Sequence, residues 1–255
     1  METNSENSTK REVTDESLVP QAFLRVVSHD LQIDLQALLT DAEMLSNELS
    51  TPKPNIDRLR KDARDILSRV EILIAITHNL RATRLDLDYE WSLFDLDNSI
   101  RSVIHTISSV AAERGLSIEY KSEMRGSPKI KGAPRLVTQV LFNLLMNAIK
   151  YSYHRRDATS SIVVRLKDQG SDVEIEIQNR GMPIGEDEKE LIFEKGYRGS
   201  MAAQMRTPGS GLGLYVAKTI VEKHHGGLTI ASKLQERNEA VVTVTVRLPR
   251  ETSEE

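Results

Sequence analysis

SIVVRLK (161–167) and DVEIEIQ (172–178) alternate apolar and polar side chains around the turn residues Asp168 to Ser171. A period of two sends successive side chains to opposite faces, so this stretch predicts a pair of antiparallel strands. LTIAS (228–232) and AVVTVTVRL (240–248) predict a second pair. Working outward, the period turns helical. A helix is expected near 96–113, carrying Ile100, Val103, Ile104 and Ile107, then a strand near 116–120 and a helix near 134–150. Helices placed between antiparallel pairs predict an α+β domain over 91–250: a sandwich of one mixed sheet covered by helices on one face.

Upstream, Leu24, Ser28, Leu31, Leu35, Leu38, Ala42, Leu45 and Leu49 are spaced by three and four residues, the seam of a long helix. STPKPN (50–55) ends it, because Pro52 and Pro54 cannot donate and push their predecessors out of the α region. Ile56, Leu59, Ala63, Ile66, Val70, Leu73, Thr77 and Leu80 then repeat the spacing. Residues 20–90 are thus expected to form an antiparallel helical hairpin. A lone hairpin leaves its apolar stripe wet, so a homodimeric four-helix bundle is expected. Residues 1–19 and 251–255 are expected to be flexible tails.

Composition excludes several classes. Lys and Arg number 34 against 38 Asp and Glu, net −4, which leaves no global positive field to hold nucleic acid. There is no cysteine, so disulfides, thiolate catalysis and cysteine-bound metal are excluded. No apolar run approaches the length that spans a bilayer, so neither membrane insertion nor a signal peptide is expected. A cytoplasmic protein is expected.

Three segments carry candidate chemistry. In LVTQVLFNLLMNAIKYS (136–152), Asn143, Asn147 and Lys150 make a polar stripe on an otherwise apolar helix. An amide oxygen suits a hard cation and a lysine suits phosphate. The ordinary alternative is a solvated helix face. IQNRGMPI (177–184) ends a strand in a glycine-proline turn. GYRGSMAAQMRTPGSGLGLYVAK (196–218) closes on Gly209, Gly211 and Gly213 before a helix led by Leu214. Glycines there let backbone N–H groups approach phosphate oxygens. From Lys195 to Val221 the chain holds Lys195, Arg198, Arg206 and Lys218 but no carboxylate, the local balance that a triphosphate requires.

NLLMNAIKYS, NRGMPI, LIFEKGYRG and GSGLGL, in this order, resemble the asparagine box, first glycine box, phenylalanine box and second glycine box of sensor histidine kinases. FLRVVSHDLQIDL (23–35) resembles their phosphoacceptor box. The resemblance spans roughly residues 21–250. It implies a GHKL-type catalytic domain that binds ATP and Mg2+, with His29 as phosphoacceptor and Asp30 fixing the imidazole tautomer. It implies that Asn147 ligates Mg2+ beside Asn143, with Lys150 near the phosphates. Asn179 would face the adenine amine, Gly181 would permit the close turn, and Phe193 would anchor a mobile lid at about 195–208. Gly209, Gly211, Leu212 and Gly213 would border the phosphates. Tyr151, Ile184, Arg198, Ser210 and Leu214 complete the implied nucleotide set. Implied partners are a second copy, the receiver domain of a response regulator and a separate sensory protein. His224 and His225 are expected to be exposed and without function.

Two departures from the family pattern have consequences. Asn179 replaces the usual aspartate and Pro183 a common glycine, so weaker ATP binding is expected. Ile33 lacks the hydroxyl or amide that would orient a hydrolytic water, so strong phosphotransfer with feeble phosphatase activity is expected. The alternative reading is a histidine phosphotransfer or scaffold dimer with a degenerate nucleotide domain.

Overall fold

The computed structural model describes residues 21–63, 66, 67, 70, 73, 77, 89–153, 160–204, 211–235 and 239–251. The expected tail 1–19, the glycine-box residues Gly209 and Ser210, and residues 252–255 lie outside them. Helix α1 runs over Gln21–Leu49. After the predicted turn a second helix, α2, opens at residue 56 and is described as helical over 56–63. Asn55 starts it: its Oδ1 accepts from the N–H groups of Asp57 and Arg58, both at 3.1 Å, satisfying two donors that have no partner within the helix. Glu48 Oε1 accepts from Asn55 N–H at 2.8 Å and so ties the cap to α1. Leu35, Leu39, Met44, Leu49, Ile56 and Leu67 are all exposed in the single chain.

The remainder is the expected α+β domain. The elements are β1 (Ser92–Asp95), α3 (Leu96–Glu113), β2 (Leu116–Ser122), β3 (Lys129–Gly132), α4 (Pro134–Tyr151), β4 (Ser160–Gln169) and β5 (Asp172–Gly181). Two 3-10 turns, Glu186–Glu188 and Leu191–Phe193, precede α5 (Ser200–Gln204), α6 (Gly213–Lys223), β6 (Gly227–Leu234) and β7 (Ala240–Pro249). The main sheet has the order β2-β4-β5-β7-β6, parallel between β2 and β4 and antiparallel elsewhere. The β1–β3 ribbon was not legible, because its two strands have only four residues each.

One core lies between the sheet and helices α3, α4 and α6. Ile100, Val103, Ile107 and Ala111 recur at helical spacing on α3 and are all buried. They meet the alternate residues of the inner sheet face: Ile162, Val164 and Leu166 on β4, and Val173, Ile175 and Ile177 on β5. The outer face carries charge instead. Glu174 pairs with Arg247 at 2.8 Å, and Glu176 with Lys167 at 2.6 Å.

His224 corrects the expectation of an exposed histidine, for it is only 4% exposed. A carbonyl only accepts, so the contact of Nδ1 with Ile220 O at 2.8 Å places the ring proton on Nδ1. Nε2 then accepts from Ala133 N–H at 3.0 Å. Ala133 caps α4 and has no capping side chain of its own, so the end of α6 supplies the missing acceptor. The ring stacks on Trp91, with centroids 4.8 Å apart. Gly132 makes room for it: a Cβ there would come within 2.6 Å of His224 Cδ2. His225 takes φ +57 to turn the chain after α6.

Candidate functional site

The end of α4, the end of β5 and the start of α6 converge because α4 lies against both β5 and α6. On α4, Asn143 is 4% exposed, not part of a solvated stripe. Its Oδ1 accepts from Gln139 Nε2 at 2.9 Å, and its Nδ2 donates to Gly213 O at 3.2 Å. A buried amide must find such partners or lose stability. Asn143 therefore clips the glycine-rich start of α6 to α4. One turn on, the Asn147 amide lies against the same glycine: a Cβ on Gly213 would stand 3.7 Å from Asn147 Nδ2. Gln139 escaped the sequence reading, although it stands four residues before Asn143 as Asn143 stands before Asn147.

Lys150 follows on the half-buried end of the helix, with its Nζ 4.8 Å from the Tyr151 ring centroid. Its pKa is drawn down to about 8, first by burial, then by the charges of Arg198 and Arg114. Burial also pushes the Tyr151 hydroxyl upward. Arg114, at the C-terminal end of α3, is the cation that the sequence did not suggest; its distance along the chain hid it.

Several contacts stitch β5 to the chain leaving α4. Met182 N–H donates to Tyr151 O at 3.1 Å and Tyr153 N–H to Arg180 O at 3.0 Å. Gly181 sits within this seam, where a Cβ would fall 2.0 Å from Tyr151 O, so the close turn expected of it is real. Asn179, 6% exposed, donates through Nδ2 to Ser152 Oγ at 3.2 Å. Ile184 N–H donates to Ser232 Oγ at 3.0 Å, fixing the turn to β6.

Phe193 is buried, with Lys218 Nζ 5.5 Å from its ring centroid. The expected lid contains a short helix, α5, because MAAQ is built of good helix formers and Glu188 Oε1 accepts from Ser200 N–H at 2.6 Å. The same oxygen accepts from Tyr197 Oη at 3.1 Å. Leu212 is buried, Leu214 packs against the core, and Gly211 holds φ +69. His29 and Asp30 lie on α1; their side chains are outside the described residues.

A profile of the histidine kinase-, DNA gyrase B- and HSP90-like ATPases matches residues 132–252, the segment that contains all these convergent residues except Arg114. The heme sensor protein HssS of Staphylococcus aureus is 31% identical over 234 residues, covering 90% of this chain and 47% of that protein. The sensor-like histidine kinase SenX3 of Mycobacterium bovis is 29% identical over 215 residues, covering 83% and 50%. The chain belongs to the histidine kinase family. Its ATP-binding domain is of the GHKL type. The histidine kinase ThkA, solved in complex with the response regulator TrrA, has the same fold with a TM-score of 0.61 at 20% identity, over 92% of this chain and 62% of that one. The chain spans about half the length of the curated relatives it matches. Among the described residues of this histidine kinase chain, no helix is long and apolar enough to cross a membrane.

Proposed function

We propose that the chain is an ATP-dependent protein histidine kinase that phosphorylates His29 and passes the phosphoryl group to an aspartate of a separate response regulator. Residues 20–90 act as the dimerisation and phosphoacceptor hairpin, and 91–250 as the catalytic domain. The observation that carries this reading is a half-buried Lys150 at the end of α4 whose ammonium is disfavoured first by burial and then by the charges of Arg198 and Arg114. A polyanion bound among them reverses that penalty. The domain's family supports ATP as this polyanion, and the ThkA complex supports a response regulator as recipient.

The residues present fit Mg2+ as well. Asn147 carries an amide oxygen on the side chain whose Nδ2 lies against Gly213, and no cluster of three His, Asp or Glu side chains among the described residues could hold a metal instead. Mg2+ is typically held by one or two protein oxygens with substrate phosphates completing the shell. It would neutralise charge on the β- and γ-phosphates. Asn143 holds Gly213 in place, Lys150 and Arg198 orient the phosphates, and Phe193 anchors the lid. Asn179 accepts from the adenine amine, with Gly181 and Ile184 shaping the turn beside the base. The remaining glycine-box residues, Gly209 to Leu214, border the phosphates.

Asp30 holds one imidazole nitrogen of His29 protonated, leaving the other with a free lone pair. That nitrogen forms the bond to the γ-phosphorus as the bond to the ADP oxygen breaks; positioning and charge neutralisation supply most of the catalysis. Homodimerisation covers the exposed leucines of the hairpin. The stimulus arrives through a separate sensory partner, and the chain works in the cytoplasm.

The deciding experiment incubates wild type and His29→Gln with γ-labelled ATP and Mg2+. Acid-labile, alkali-stable label in wild type alone is expected. Equal labelling of both proteins overturns the assignment of His29, and binding of ATP without labelling favours the scaffold reading.

A further inference from the structure

The proposal concerns the base and rests on the reading of Asn179 as the residue that meets it. A neutral amide is ambiguous there: one pole accepts from the exocyclic amine of adenine, the other donates to the 6-oxo group of guanine. An aspartate, with two accepting oxygens, has no such ambiguity. Something in this chain must decide which pole faces the ligand.

Ser152 decides it. Its Oγ lies 2.6 Å from Ala148 O. A carbonyl oxygen only accepts, so the single hydroxyl proton is committed to Ala148. Towards any further neighbour the serine oxygen is an acceptor, and the Asn179 atom 3.2 Å away must therefore be the NH2 group. The amide oxygen is left as the remaining pole. This assignment follows from hydrogen-bond capacity along three linked groups and leaves no choice of amide orientation.

The backbone holds the lock shut. Ser152 bridges Gly181 across the seam. The bonds Met182 N–H to Tyr151 O and Tyr153 N–H to Arg180 O flank it at 3.1 and 3.0 Å. Ser152 and Asn179 cannot separate without breaking this stitching, so the serine acceptor stays against the Asn179 amide.

We propose that Ser152 is a specificity-determining residue: it locks the Asn179 amide with its oxygen towards the base, so that a neutral side chain selects adenine and refuses guanine nucleotides. A buried site set to hydrogen-bond one partner rejects the analogue that cannot pair, because a polar group is left unsatisfied. Without the lock the amide can turn over and donate to the guanine oxygen.

The test is calorimetric titration of the full chain with Mg2+-ATP and with Mg2+-GTP. Wild type is expected to prefer ATP. Ser152→Ala is expected to narrow the ATP/GTP affinity ratio by about tenfold, the worth of one buried hydrogen bond, with GTP gaining affinity. Ser152→Thr keeps the hydroxyl and should keep the ratio. In an Asn179→Asp background Ser152→Ala should no longer change the ratio, since both poles already accept. Equal loss of both nucleotides in Ser152→Ala, or no preference in wild type, overturns the proposal alone. Failure of wild type to take up either nucleotide at millimolar concentration overturns the nucleotide reading and the proposal with it.

Discussion

The backbone N–H of Gly196 donates to the carbonyl of Gly211 at 3.2 Å, joining the two ends of the segment that carries α5. Both residues sit at positive φ, +79 and +69. Their surroundings differ. A Cβ on Gly211 would lie 2.6 Å from Gly196 C and from Tyr197 O, whereas one on Gly196 would meet nothing within 4 Å. The segment therefore closes on a neck that excludes a side chain from one of its two sides.

This asymmetry separates two substitutions. Gly196→Ala incurs only the left-handed strain, about 1–2 kcal/mol. Gly211→Ala adds a collision with backbone and must open the neck. ATP affinity is expected to fall by about tenfold or more in Gly211→Ala and by much less in Gly196→Ala. Titration beside thermal melting checks this. Equal losses in the two variants would dissolve the neck.

Glu188 sets the base of the same segment. Its carboxyl is held below the usual range, above all by the Ser200 N–H, with lesser help from Gly185 N–H, the Ser200 side chain and Tyr197 Oη. The stabilisation is fully present above the ordinary value of 4.5 and is lost as pH falls through the lower folded value. Glu188→Gln keeps the shape but weakens charge-assisted bonds to neutral ones, about 1 kcal/mol each at most. Limited proteolysis within 197–204 should quicken several-fold in Glu188→Gln at neutral pH. An unchanged cleavage rate would remove Glu188 from the account.

The pairing of β4 with β5 and of β6 with β7 was legible because each strand buries one face, and burial of one face writes a period of two. Helices α3 and α4 were legible for the same reason at a period of 3.6. The site was less so. Asn147, Lys150, Gly181 and Phe193 announce themselves as motif residues, and the structure brings them to neighbouring elements. Ser152 and Arg114 do not, because their partners at Asn179 and Lys150 lie on other segments and are chosen by packing; Gln139 stands at helical spacing from Asn143 but belongs to none of the boxes. His224 was misread because a histidine at a helix end looks exposed until β3 and Trp91 are folded over it.

His224 supplies a pH-dependent prediction. Burial, the largest influence, holds its imidazole below the ordinary value of 6.5, with smaller lowering by Lys223 and His225. The unfolded chain thus takes up the proton at higher pH than the folded one. The contribution of His224 is complete above about 6.5 and is lost as pH falls towards the folded value. A protonated Nε2 would face the Ala133 N–H donor to donor. Trp91 is the only tryptophan and stacks on the ring, so its fluorescence reports the event directly. Stability and fluorescence should both decline between pH 7 and 5, and His224→Gln, which keeps an acceptor but does not titrate, should flatten both curves. Persistence of the fluorescence transition in that variant would exclude His224 as its source.

Lys150 gives a signature of ligand binding that no structural role would mimic. Free, its ammonium titrates at about 8, lowered by burial and by Arg198 and Arg114. A triphosphate placed among these cations favours the charged form and returns the pKa towards the ordinary 10.5. Near pH 8 about half of the lysines are neutral before binding and charged after it, so ATP uptake should draw in about half a proton per site. At pH 6 Lys150 is already charged and its contribution vanishes. Calorimetry at pH 8 in buffers of different ionisation enthalpy measures the proton count. Lys150→Arg keeps the charge but does not titrate in this range, and the uptake should disappear with it. Proton release on binding, or equal uptake by wild type and Lys150→Arg, would show that the phosphates do not lie among these three cations.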